Sequence, residues 1–188
     1  MTQSTSLFTA SGQRKYLNMD ERARFLAASQ ALNRTERLFC HVLFWSGARP
    51  SEALALTVDQ VMAFEGVLVF RSLKKKDLLH HRQVPVPKEL VEDLSKLNTP
   101  EFPSSMFPWG RTWGWDIVKR TMMVAQISGP QACPRGLRHS FAVHAVASGV
   151  PLHLIQRWLG HARLETTAIY LQTLGPDERL IAQRMWER

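Results

Sequence analysis

The chain has 188 residues, room for one good-sized domain and little for two, and its 45% hydrophobic and 21% charged residues give it a globular composition able to bury a core. A formal net charge of +8 points to an anionic partner, nucleic acid being the commonest. Two cysteines exclude a disulfide framework and a cysteine metal site, and residues 1–16 lack a secretory stretch while no apolar run nears the ~18 residues of a membrane span, so a cytoplasmic protein with no membrane partner is expected.

Residues 1–15, rich in Ser, Thr and Gln, read as a flexible lead-in. Asn18 and Asp20 can cap a helix running to about Leu32, with Phe25, Leu26 and Leu32 on its apolar side. A second, more buried helix follows from Thr35, carrying Leu38, Phe39, Val42, Leu43 and Trp45 and stopping at Ser46-Gly47. Cys40 falls in its apolar run and is expected in the core. Pro50 suits the first turn of a short helix with Glu52, Leu54 and Leu56. The texture then changes, and residues 58–61, 66–70 and 83–86 read as three short strands. From Pro87 onward an amphipathic helix (KELVEDLSKL) is predicted, then a proline-containing loop over 98–108, a helix over 113–126 and a break at Ser128-Gly129-Pro130. The remainder reads as helical pieces separated by Gly149-Val150-Pro151, Gly160 and Gly175-Pro176. The expected fold is mainly α with a small three-stranded antiparallel sheet: a domain over 16–173, then a C-terminal helix over 174–188. That helix has an apolar stripe of Leu180, Ile181, Met185 and Trp186, which either packs on its own domain or docks on a neighbouring protomer.

The chemistry concentrates in residues 138–170, RHSFAVHAVASGVPLHLIQRWLGHARLETTAIY, which hold an arginine, histidines and one of only two tyrosines. A phenol with a pKa of about 10 can attack a phosphodiester only if it is activated. The charge that builds on the oxygens of the phosphorane-like transition state must be met by fixed donors, for which the planar fork of arginine is best suited. The leaving 5′ oxygen needs a proton from a lysine or a histidine. Two arginines, a lysine, one or two imidazoles and a tyrosine are therefore the expected set, and the chain offers each.

The order Arg138-His139, Leu159-Gly160-His161 and Tyr170, with Ser46-Gly47-Ala48-Arg49-Pro50-Ser51-Glu52 upstream, closely resembles the tyrosine recombinases, the phage integrase family. The resemblance covers residues 16–171 and is strongest over 138–170. It implies the tyrosine recombinase catalytic-domain fold and site-specific DNA recombination through a covalent 3′-phosphotyrosine, with neither cofactor nor metal. By that resemblance Arg49 and Arg138 clamp the scissile phosphate, Glu52 is a structural partner, and His161 donates to a phosphate oxygen or orients the nucleophile Tyr170. Lys74, with Lys75 next, is the general acid in the turn between the second and third strands. Lys75, Lys76, Arg82 and His139 complete the expected DNA-contacting set.

One position departs from the pattern. The family's His-x-x-Arg-His is here Arg135-Gly136-Leu137-Arg138-His139. Arg135 can still donate to a phosphate oxygen, but it cannot shuttle a proton at neutral pH. The resemblance also implies double-stranded DNA as partner and a homo-oligomer, tetrameric on DNA and monomeric in solution. The sequence begins near the start of the family's catalytic domain, so the chain resembles the short members without an N-terminal DNA-binding domain, or a piece of a longer parent. Its hold on DNA then rests on phosphate contacts or on an accessory DNA-binding protein. Two other readings stand beside this one: a non-catalytic DNA-binding regulator on the same fold, with residues 150–170 as a helix-turn-helix, and a one-subunit nicking-closing enzyme.

Overall fold

The computed structural model describes residues 6–71, 81–97 and 105–173. The first helix, α1 (Met19–Ser29), starts where Asn18 accepts from the Glu21 N–H at 2.8 Å and the Glu21 carboxylate accepts from the Asn18 N–H at 2.9 Å, a reciprocal cap. Asn33 caps α2 (Arg34–Ser46) with its side-chain oxygen alone, which accepts from the Glu36 N–H at 3.0 Å. Gly47 ends α2 at φ 62°, a left-handed conformation that glycine adopts without a Cβ penalty. The chain then turns at once into α3 (Pro50–Leu54), whose first residue is a proline.

The sheet has three antiparallel strands in the order β1 (Val61–Met62), β2 (Val67–Arg71) and β3 (His81–Pro85). The first strand is shorter than expected: residues Val58–Gln60 form a 3-10 turn, in which the Gln60 side-chain oxygen accepts from the Thr57 N–H and hydroxyl, both at 3.0 Å. Register pairs Leu68 with Val84 and Phe70 with Arg82. Alternation therefore sends Leu68, Phe70, Val84 and Arg82 to the buried face. Residues 72–80, which include Lys74, Lys75 and Lys76, lie outside the described residues.

Helix α4 (Lys88–Ser95) buries Leu90, Val91 and Leu94, and α5 (Arg111–Val124) buries Ile117, Val118 and Met122. Proline opens α6 (Pro134–Ala147), which is followed by α7 (Leu152–Leu159), α8 (Glu165–Ala168) and a 3-10 turn over Ile169–Thr173. The main core joins α1–α6 and the sheet around Phe25, Phe39, Phe44, Phe70 and Phe107. A smaller cluster of Phe141, Ala142, Ala145, Val146, Ile155 and Leu159 packs α6 on α7 and includes Tyr170.

The lead-in reading does not hold for residues 6–15. Leu7 is fully buried in that smaller cluster, and Phe8 forms a β-bridge with Arg14. The buried leucine, the Lys15 N–H bond to the Leu7 carbonyl and the Thr9 N–H bond to the Gln13 carbonyl, both at 2.8 Å, and the Arg14–Glu21 ion pair together tie down a stretch of polar composition. The segment over 174–188 lies outside the described residues. Among the described residues, no helix is long and apolar enough to cross a membrane.

Candidate active site

The start of α3, the N-terminal half of α6, His161 after α7 and the 3-10 turn over Ile169–Thr173 form a cleft of about 490 Å³ lined by Arg49, Arg135, Arg138, His139, His161 and Tyr170. Six expected site residues, separated by as much as 121 positions in sequence, are thus brought to one wall (Arg49 to Tyr170).

Arg138 is anchored by backbone. Its Nη1 donates to the Gly47 carbonyl at 2.7 Å and its Nη2 to the Leu159 carbonyl at 2.6 Å, so one guanidinium ties the end of α2 to the end of α7. Burial, and then the charge of Arg49, pushes this guanidinium down to about 9. A cation desolvated to that degree is stabilised by any anion that enters the cleft.

Arg49 precedes α3 and is held by Glu52, which accepts from the Arg49 backbone N–H at 2.8 Å and from its Nη1 at 2.9 Å. Glu52 has a second guest. Arg82 reaches from β3 to donate to both carboxylate oxygens, Nη1 at 3.1 Å and Nη2 at 2.7 Å, and its Nε donates to the Trp158 carbonyl at 2.7 Å. Burial alone would raise the Glu52 carboxyl, but Arg82 and then Arg49 outweigh it and hold it below its ordinary value. Arg82, expected to contact DNA, is therefore turned inward, 8% exposed, because it sits at an inward position of the same strand as Val84.

Gly160 ends α7 at φ 65° and sets His161 into the cleft wall. The His161 Nδ1 lies 2.9 Å from the Thr167 hydroxyl, and its ring stacks on that of Tyr170, with centroids 6.5 Å apart and planes 11° from parallel. Burial, with Arg138 and Arg49 behind it, pushes the imidazole down to about 3, so it is neutral at physiological pH. Thr167, fully buried on α8, orients His161 from three residues ahead of the tyrosine.

Tyr170 is 1% exposed. Its phenol oxygen lies 3.0 Å from Nδ1 of His139. Burial raises the phenol above its ordinary value, and the charges of Arg138, Arg135 and Arg49 pull it the other way. His139 was expected on the DNA side, yet it is buried against the tyrosine, one helical turn from Arg135 on α6. The Arg135 Nε donates to the His139 Nε2 at 3.2 Å. Trp115, unmarked in the sequence, also lines the cleft, as do Pro50 and Cys133. Among the described residues no group of three or more His, Cys, Asp or Glu side chains is placed to hold a metal ion.

The sequence model of the phage integrase family matches residues 15–175, the span that carries all of this geometry. The chain belongs to the phage integrase family. It is 32% identical over 168 residues to the tyrosine recombinase XerA of Thermococcus kodakarensis, a match covering 83% of this chain and 57% of that one. Its fold matches the crystal structure of a XerA recombinase with a TM-score of 0.73 at 23% identity, over 92% of this chain and 65% of the other. The catalytic domain of bacteriophage HP1 integrase matches with a TM-score of 0.69 at 26% identity, over 90% of this chain and 93% of that domain. The chain spans about half the length of the curated relatives it matches. The mainly helical fold with its three-stranded sheet is thus that of an integrase-family catalytic domain.

Proposed function

We propose that this integrase-family domain performs site-specific DNA recombination, cleaving and rejoining double-stranded DNA through a covalent bond between Tyr170 and a 3′ phosphate. The observation that carries the reading is electrostatic. Three guanidiniums, Arg138, Arg135 and Arg49, act on one phenol at the wall of one cleft. A phosphate seated there meets planar donors that hold their charge and need little reorganisation, because Arg138 is fixed by two carbonyls and Arg49 by Glu52.

In this scheme Arg49 and Arg138 grip the non-bridging oxygens, and Arg135 adds a donor where an imidazole is usual. His161, neutral and oriented by Thr167, steadies the phosphate or the phenol. The Tyr170 oxygen attacks phosphorus, the 5′ oxygen leaves as a hydroxyl, and a lysine of the 74–76 turn, Lys74 first, supplies its proton. The phosphotyrosyl bond stores the energy for rejoining, so the scheme calls for neither metal nor nucleotide. Exchange between duplexes requires several protomers on DNA, a tetramer in the simplest arrangement, with or without an accessory DNA-binding protein.

The test begins with duplexes enriched for binding from a randomised library. A nick is placed beside the cleavage position so that the released strand diffuses away and the intermediate is trapped. A protein–DNA adduct that survives denaturation in the wild-type protein and is absent from Tyr170→Phe is the expected result. Tight binding of the enriched duplex with no adduct from any nick position would overturn the enzyme reading in favour of a DNA-binding regulator.

A further inference from the structure

We propose that His139 is a further catalytic residue of this site, locked by Arg135 into the tautomer that carries its proton on Nδ1 and donates a hydrogen bond to the attacking oxygen of Tyr170. The inference rests on the proposed cleavage chemistry and adds a role for a residue outside the phosphate clamp.

Donors and acceptors decide the tautomer. A guanidinium has five N–H groups and no acceptor. The Arg135 Nε–H is aimed at the His139 Nε2, 3.2 Å away, so that ring nitrogen must present its lone pair. A neutral imidazole with a lone pair on Nε2 carries its proton on Nδ1. Nδ1 faces the Tyr170 oxygen at 3.0 Å, so the ring donates and the phenol oxygen accepts. Burial and the charges of Arg135, Arg138 and Lys15 keep the ring neutral, pushing it down to about 4. The alternative, a doubly protonated ring, would place an imidazolium N–H against the guanidinium of Arg135.

A donor on the phenol oxygen stabilises the phenolate more than the phenol. It also fixes the oxygen against α6 in a site where burial otherwise opposes ionisation. The same tautomer excludes His139 as the base, because Nδ1 has no lone pair to offer. In the cleavage step the Tyr170 O–H bond breaks and an O–P bond forms, while the P–O5′ bond breaks and an O5′–H bond forms. The proton lost by the phenol leaves through a phosphate oxygen or water, and His139 keeps its own throughout. Arginine at 135 is what makes the lock one-sided: an imidazole there could donate or accept and would leave the His139 tautomer open.

Three measurements on the full chain test this. Ring ¹⁵N spectra without DNA should show His139 with an unprotonated Nε2, and Arg135→Met should shift the ring towards the other tautomer; a protonated Nε2 in the wild-type protein overturns the proposal. The chain has only two tyrosines, so Tyr16→Phe isolates Tyr170 for ultraviolet titration. In that background His139→Phe should raise the phenol pKa, and His139→Asn, which keeps an N–H near the position of Nδ1, should restore most of the difference. On the nicked duplex, adduct formation should slow about 100-fold in His139→Phe and recover in His139→Asn, with duplex affinity measured alongside to separate chemistry from binding. Adduct formation at the wild-type rate in His139→Phe overturns the proposal. If the wild-type chain forms no adduct at all, the recombinase reading fails instead, and the tautomer and titration still decide whether His139 donates to Tyr170.

Discussion

Arg82 grips Glu52 through both carboxylate oxygens, at 3.1 and 2.7 Å, with the two residues only 8% and 6% exposed. Because Glu52 also holds the backbone and side chain of Arg49, this buried pair links strand β3 to the proposed phosphate clamp. Removing one partner of a buried pair leaves the other charge desolvated and unopposed, at a cost of about 3–5 kcal/mol. Arg82→Met leaves Glu52 its contacts to Arg49, so it should lose stability towards the lower end of that scale in urea unfolding. Arg82→Lys should recover only part of it, since an ammonium cannot make the two-pronged contact. The double variant Arg82→Met, Glu52→Met should regain stability over the single one, yet still form little adduct, because Arg49 has lost its carboxylate. Equal recovery of stability and adduct would show that the pair serves folding alone.

The clamp itself can be counted by salt. Each phosphate neutralised by a basic side chain contributes about 0.9 to the slope of log affinity against log salt concentration. Arg49, Arg135 and Arg138 share one phosphate in the proposed scheme, so Arg49→Gln and Arg135→Gln should each weaken binding of the same duplex and lower that slope by no more than about one contact, while Tyr170→Phe leaves both unchanged. Unchanged affinity and slope in Arg49→Gln would remove Arg49 from the phosphate.

Much of this site was legible in the sequence because it is written in local signals. Gly47 and Gly160 mark two left-handed helix ends, and the residues that follow them, Arg49 and His161, are placed by those turns. Pro50 and Pro134 mark the starts of the helices that present Arg49 and Arg138. What was misread depended on tertiary facing. Arg82 looked like a surface cation, although the alternation that buries Val84 two residues on also buries Arg82. His139 followed an arginine in a basic stretch, and its neighbours on the folded wall, Arg135 and Tyr170, lie four and thirty-one residues away. Leu7 could not be read at all, because burial of a single leucine in a polar stretch is decided by the cluster it meets.

Acid should weaken the fold through the imidazoles of the cleft. The His139 ring is pushed from its ordinary 6.5 down to about 4, chiefly by burial. Below about 6.5 the unfolded chain binds a proton that the folded chain refuses, so stability is present in full above that pH and falls as pH drops towards 4. Each such proton sets a slope of about 1.4 kcal/mol per pH unit within the window. His161, pushed down to about 3, acts in the same direction. Urea midpoints measured from pH 7 to pH 4.5 should therefore fall, and fall less steeply in His139→Phe. Parallel curves for the two proteins would show that His139 binds its proton equally well folded and unfolded.

Gly136 offers a sharper test of how the site is framed. It lies in the first turn of α6, between Arg135 and Leu137, and a Cβ there would sit 1.9 Å from the Gln131 carbonyl oxygen and 2.7 Å from its carbonyl carbon. The obstacle is backbone, so no side chain can rotate aside. Gly136→Ala must push the residue 131 loop off α6, straining the bond from the Gln131 side chain to Glu21 at 3.0 Å and that from Lys119 to the Ala132 carbonyl at 2.9 Å. Overpacking of this kind costs about 1–3 kcal/mol or more. Gly110, which caps α5, has nothing within 4 Å of a Cβ, so Gly110→Ala should cost only about 0.5–1 kcal/mol, the loss of a favoured cap residue with no clash added. Because the displaced loop leads into the turn that aims Arg135 at His139, Gly136→Ala should also slow adduct formation beyond what its stability loss explains. If its urea midpoint matches that of Gly110→Ala, the close approach of the loop to α6 is not a feature of the folded protein.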